Sequence, residues 1–206
     1  MSRPIDLIIS VFNSVYTTWI ALALPAIAFV REILLPERYY PELMWETGVL
    51  ASQMVVVALL ISPLRIIFQG SKPITMALFW LQKRRRAIGV AAFSYAALHT
   101  IFYLRYTNSI ELVFLEMVDW DLAIGWAAMF GLTGLAVTSN AWSVKVLGTR
   151  WKPFQRTAYG AAFLVGLHWF LIGNFLQDLW YWAIPVVALQ IIRMAWPFKS
   201  RSSPIY

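Results

Sequence analysis

The chain has no cysteine and only two histidines in 206 residues. The first absence excludes disulfides, cysteine-ligated iron–sulfur clusters and covalently attached c-type haem, because each requires thiols. Charge is scarce too, at 13% of residues, while 60% are hydrophobic. No GxGxxG run occurs among the ten glycines, so the common dinucleotide fingerprint is missing. What is present are recurring apolar runs of about 20 residues, the length that spans a bilayer as a helix.

These runs place an all-α membrane protein of six transmembrane helices in a single domain, residues 1–206. The expected spans are Leu7–Val30, with Pro25 as a kink, then Gly48–Phe68, Ala87–Leu104, Leu122–Thr138, Thr157–Leu176 and Leu179–Trp196. A turn near Gln177 and Asp178 is expected to make the last two antiparallel neighbours. The first segment is too long and too polar at its start for a simple cleaved signal peptide. The tail Lys199–Tyr206 is polar and expected to fray.

Charge orients the helices. Arg3, Arg65, Lys72, Lys83, Arg84, Arg85, Arg86, Lys145, Arg150, Lys152, Arg156, Arg193, Lys199 and Arg201 fall on one side of this topology. Arg31, Arg38 and Arg105 fall on the other, with every acid except Asp6. The positive-inside rule then puts both termini in the cytoplasm. The net charge of +7 therefore reflects topology, and the basic groups suit acidic lipid headgroups, not nucleic acid. The acidic face is either a solvated rim or a docking surface for a soluble partner.

His99 and His168 both fall inside expected spans, where an ionisable side chain is costly and points to a functional site. His99 lies 12 residues past Ala87 and His168 lies 11 past Thr157. At about 1.5 Å per residue both sit roughly 16–18 Å from the cytoplasmic boundary. Two imidazoles at one depth on parallel helices can ligate one haem iron from opposite faces. Without cysteine such a haem is non-covalent, hence b-type. Ala92, Ala96 and Ala97 precede one histidine, and Gly160, Ala161, Ala162 and Gly166 precede the other. Such residues admit a flat macrocycle, or simply close helix packing. Phe102, Tyr103 and Trp169 offer aromatic walls. Arg105 is a candidate partner for a haem propionate and equally a snorkelling interface anchor. Asp119 and Asp121 read as a solvated loop pair.

At this point the residues resemble a family. Ile61-Ser62-Pro63-Leu64-Arg65 is similar to the "TPLR" end of the second helix in MsrQ (YedZ-type) proteins. Arg85-Arg86-Ala87-Ile88-Gly89-Val90, then Phe93 to His99, then Tyr103-Leu104, resemble their third helix. Leu135 to Ser139, Leu147 to Trp151, Arg156, Tyr159 and His168 resemble the rest of the pattern, which ends near Trp169. Gln155 departs from it: the family carries a histidine there, 13 residues before the fifth-helix histidine. Thirteen residues is about 20 Å of helix, the displacement between an inner and an outer site.

The resemblance implies a haem-binding bundle of the ferric-reductase-like transmembrane superfamily in the bacterial inner membrane. It implies a haem-binding subunit that serves a periplasmic methionine sulfoxide reductase, and so the electron-transfer part of an oxidoreductase system, not a whole enzyme. Electrons would come from the quinone pool or a flavin reductase and pass to a periplasmic redox protein. With Gln155 in place of histidine, one haem b is expected, with a quinone or FMN as a further cofactor. Candidate inner-side polar groups for a quinol are Gln53, Ser139, Asn140, Trp142, Lys145 and Gln155. Two other classes stay open. One is a haem-bearing or haem-free accessory subunit of a larger respiratory or photosynthetic membrane complex. The other is a transporter that moves protons through the histidines.

Overall fold

The structure is a computed structural model that describes residues 10–33, 40–173 and 176–195. Among the described residues every regular element is helical. The helices are α1 (Val15–Ile33), α2 (Tyr40–Ile67), α3 (Lys72–Thr107), α4 (Ile110–Glu116), α5 (Trp120–Val137), α6 (Ala141–Leu147), α7 (Trp151–Arg156), α8 (Ala158–Ile172) and α9 (Leu176–Ala195), with a 3₁₀ turn at Gly148–Arg150. Four of them, α1, α2, α3 and α5, are long and apolar enough to cross a membrane. Large apolar side chains such as Phe12, Tyr16, Ile20, Phe130 and Phe163 lie exposed on the outside, as lipid-facing residues do. This is the architecture of a multi-pass helical membrane protein.

Two antiparallel helix pairs form its centre. In the first, α2 and α3 join through a tight turn in which Ser71 N–H donates to the Phe68 carbonyl at 3.1 Å and Thr75 Oγ1 donates to the same carbonyl at 2.8 Å. In the second, α5 and α8 run side by side in opposite senses. Gly125 faces His168 and Gly131 faces Ala161, while Gly134 faces Phe154 of the preceding α7. The pairs meet where α3 packs on α5 and α2 on α8, with α1 against α3 and α9 against α2. Phe29, Ala51, Tyr95 and Phe102 fill one core; Leu132, Leu135 and Ala161 fill the other.

The structure departs from the expected spans in three places. First, α3 begins at Lys72, not near Ala87, and runs for 36 residues. That is about 54 Å of helix against a hydrocarbon core of about 30 Å. The basic run Lys83–Arg86, expected in a loop, is therefore helical. Pro73 sits in the first turn of α3, where it needs no hydrogen bond to donate, and no later proline interrupts. The cations lie over aromatic faces: Lys83 over Phe79 at 4.8 Å, Arg84 over Trp80 at 3.7 Å, and Arg86 over Trp151 at 5.7 Å.

Second, Gln177 and Asp178 belong to the first turn of α9 and not to a connecting turn. α8 stops earlier because Gly173 adopts extended backbone. Third, α8 has 15 residues, about 22 Å, which is short of a full span taken alone. The expectations for Arg3, Arg38 and Lys199–Tyr206 lie outside the described residues.

Polar groups in this bundle are satisfied from within, as lipid demands. Hydroxyls of Thr47, Thr100, Thr133, Thr138 and Ser139 donate to carbonyls three or four residues back. Tyr95 reaches across to the Leu22 carbonyl at 2.7 Å. Arg84, buried, ties α1 to α3: its Nε donates to Thr18 Oγ1 at 2.8 Å, and its terminal nitrogens donate to the carbonyls of Phe12 and Trp80. A hydrogen bond to a charged group contributes about 1.5–3 kcal/mol. Arg84→Ala is therefore expected to lower the unfolding free energy in detergent by about 2 kcal/mol or more and to expose α1 to protease. Arg84→Lys, lacking the planar fork, should recover only part of this. Equal stability of Arg84→Ala and the parent would refute this role.

Candidate functional site

The two helix pairs and α4 line a half-open cavity of about 360 Å³, whose polar lining includes His99, His168, Tyr103, Glu116, Ser52 and Thr100. That size falls within the range of small-molecule sites, roughly 300–1,000 Å³. Its apolar wall includes Met44, Val49, Ala96, Met129, Leu132 and Val165. Each helix pair supplies one histidine, His99 from α3 and His168 from α8.

Both imidazoles are held in the same way. His99 Nδ1 lies 2.8 Å from the Met44 carbonyl on α2, and His168 Nδ1 lies 2.7 Å from the Asp121 carbonyl on α5. A carbonyl oxygen only accepts, so Nδ1 carries a proton in each ring, and a neutral ring held this way leaves Nε2 as its unprotonated nitrogen. Such a bond from the far nitrogen to a backbone carbonyl is the usual orienting contact behind a metal-ligating histidine. The two rings meet in an edge-on arrangement with centroids 6.3 Å apart and planes crossed at 83°. An imidazole nitrogen about 2 Å from a metal puts the ring centroid about 3.2 Å from it. Two such rings on opposite sides of one metal would thus be separated by close to the distance observed.

Aromatic pairs flank the histidines. Trp45 meets Trp169 edge to face at 6.3 Å, and Tyr103 meets Trp126 at 6.4 Å. Tyr103 also donates to Glu116 Oε2 at 2.6 Å, which makes one end of the cavity polar. Among the described residues no group of three or more His, Cys, Asp or Glu side chains gathers to hold a bare metal ion. Two imidazoles alone suit a metal whose remaining positions come from a macrocycle.

The remaining expected residues are dispersed. Arg105 is exposed and does not line the cavity. Six residues beyond His99 is about 240° around a helix, which carries Arg105 to another face. Tyr103, Trp169 and Ala96 do line it. Phe102 instead packs against Tyr40 at 6.3 Å in the first core, Ala161 packs in the second core, and Gly160 and Gly166 face open space.

The inner-side polar groups serve helix ends. Asn140 caps α6 through Ser143 N–H at 2.7 Å, Ser139 bonds the Leu135 carbonyl, and Trp142 is exposed. Gln155 clasps the end of α5, donating from Nε2 to Thr138 Oγ1 at 2.9 Å and to the Leu135 carbonyl at 3.4 Å. None of them lines the cavity.

Sequence reasoning missed Gly48, Gly125, Trp45, Trp126 and Glu116, and the two carbonyls. A positional signal existed for one glycine. Gly48 lies eight residues into α2 and His99 eight before the end of α3, so an antiparallel pair with those ends level brings them together. It could not be used without the helix boundaries.

The fold and the paired, backbone-anchored imidazoles define a class: helical membrane proteins with a two-histidine site between helix pairs. Comparison with known proteins narrows it. The chain is 35% identical over 127 residues to a Rhizobium meliloti protein named protein-methionine-sulfoxide reductase heme-binding subunit MsrQ, covering 59% of this chain and 53% of that one. It is 27% identical over 161 residues to the MsrQ subunit of Brucella ovis, covering 76% and 69%. The MsrQ of Brucella abortus strain 2308 aligns to the same extent. The resemblance read from the motifs is thus matched by proteins of that name, although the chain spans about half the length of the Rhizobium relative. No protein-family model matches the chain, and no solved structure matches it.

One outcome tests the geometry without any ligand. Nitrogen NMR of ¹⁵N-histidine-labelled protein prepared without cofactor should show both Nδ1 atoms protonated and hydrogen-bonded. An unprotonated Nδ1 in either ring would contradict the two carbonyl contacts.

Proposed function

We propose that this protein is an MsrQ-like membrane subunit that carries electrons through one haem b held by His99 and His168. The reading rests on a single observation. Two imidazoles from different helix pairs stand 6.3 Å apart across one cavity, each with its Nδ1 tied to a backbone carbonyl. The naming of the relatives as haem-binding subunits points the same way.

Haem, when bound, supplies a one-electron ferric–ferrous couple. The chain's residues do the rest. The carbonyls of Met44 and Asp121 keep Nδ1–H engaged, so both rings stay neutral ligands in a fixed orientation. His99 and His168 would be the two residues holding the haem iron, and a site that gives the iron two protein ligands would suit electron transfer. The apolar wall of Met44, Val49, Met129, Leu132 and Val165, together with the ligand hydrogen bonds, would set the potential. Gln155, committed to Thr138, leaves the family's inner position without an imidazole, so one haem per chain is the expected load.

The remaining proposals concern placement. α8 packs along α5 over its length, so it shares that helix's environment; α8 and α9 are read as the fifth and sixth spans. Both termini would face the cytoplasm of a bacterial inner membrane, with a quinone pool or flavin reductase as donor and a periplasmic redox protein as acceptor. A methionine sulfoxide reductase is the acceptor that the relatives' names suggest.

Purified protein reduced with dithionite should show the α-band of a b-type haem at one haem per chain. His99→Ala and His168→Ala should each abolish it. A colourless, folded wild type would overturn the reading in favour of a haem-free accessory subunit, and two haems per chain would refute the role given to Gln155. Reporter fusions at both ends should report the cytoplasm, and a periplasmic signal from either would refute the topology.

A further inference from the structure

We infer that Gly48 and Gly125 are positioning residues, each the seat of one imidazole, and that the two seats together set the crossed ring planes. The inference rests on the haem reading above and concerns this chain's residues alone.

The two seats repeat one arrangement on different helices. On α2, the carbonyl that takes His99 Nδ1 belongs to Met44, four residues before Gly48. On α5, the carbonyl that takes His168 Nδ1 belongs to Asp121, four residues before Gly125. Residues four apart share one face of a helix, so carbonyl and glycine form a single surface. The carbonyl grips one edge of the ring and the bare glycine lets the ring lie against the helix.

The space is tight. A Cβ at Gly48 would stand 3.0 Å from His99 Nδ1 and 3.2 Å from Cε1. A Cβ at Gly125 would stand 2.5 Å from His168 Cε1, 2.7 Å from Nδ1 and 3.0 Å from Nε2. A Cβ at Gly125 would force the His168 ring to shift, and a Cβ at Gly48 would press the His99 ring by a few tenths of an ångström. The other glycines differ: Gly131 meets Ala161 and Gly134 meets Phe154, while Gly89, Gly160 and Gly166 meet nothing within 4 Å. Contact with a histidine ring thus separates Gly48 and Gly125 from the helix-packing glycines.

The two seats are unequal, and this gives the test its form. With imidazole planes crossed at 83°, the two iron d orbitals of π symmetry lie close in energy. A ferric, low-spin centre between them then has a strongly anisotropic EPR signal with one low-field feature. Turning one ring toward the other reduces that anisotropy and moves the midpoint potential.

The experiment compares haem-loaded, full-length wild type with Gly48→Ala, Gly125→Ala and Gly89→Ala by ferric EPR, redox titration and haem content. Wild type and Gly89→Ala should share the anisotropic signal and one potential. Gly48→Ala should keep its haem, with a less anisotropic signal and a shifted potential. Gly125→Ala should lose most of its haem while keeping wild-type helix content by circular dichroism. Wild-type signal and potential in both glycine variants would overturn the inference. If Gly125→Ala fails to fold, Gly48→Ala decides alone. If the wild type itself carries no haem, the functional reading fails first. The seat is then decided in the apoprotein, where Gly48→Ala should move the His99 Nδ1–H resonance and Gly89→Ala should not; an unmoved resonance would overturn it.

Discussion

A neutral imidazole has one nitrogen that donates and one that accepts, and a backbone carbonyl engages only the donor. The contacts His99–Met44 and His168–Asp121 therefore determine which face of each ring is chemically available. The rest of the structure is arranged around holding those two contacts. α2 and α5 provide the carbonyls, α3 and α8 provide the rings, and the antiparallel pairing of α2 with α3 and α5 with α8 sets each ring beside its carbonyl. A shift of one residue in either pair would rotate the ring away by about 100°.

The second governing constraint is the hydrocarbon around the bundle. Within it an unsatisfied polar group is costly, so side chains that look reactive in the sequence are absorbed by the helices themselves. Thr and Ser hydroxyls turn back to carbonyls on their own helix, Arg84 binds neutral oxygens between α1 and α3, and Gln155 closes the end of α5. This explains why so many polar groups at the basic end bond to the helices themselves. It also explains why the cavity, with a Tyr103–Glu116 pair at one end, stands apart from its surroundings.

Much of the fold was legible because a 20-residue apolar run has few folded alternatives. The centres of α1, α2, α3 and α5 were readable that way. The starts of α3 and α9 were not, since charged residues at a helix end read like a loop. Lys83–Arg86 form part of α3 because aromatic faces at Phe79, Trp80 and Trp151 take their cations, a contact that spacing alone does not reveal. Of the site, the two histidines were visible by their rarity and depth. That Arg105 lies off the cavity was not legible, because it depends on the angle around the helix axis as well as on distance along it.

Composition and spacing determined by themselves that the chain is helical, apolar and multi-spanning. They also determined that its only two imidazoles lie within those helices, because both properties depend on local sequence. Only the tertiary structure decided that the two rings meet, which nitrogen each leaves open, and that glycines rather than alanines lie beneath them. Those depend on the register and rotation of four separate helices, which no single segment encodes.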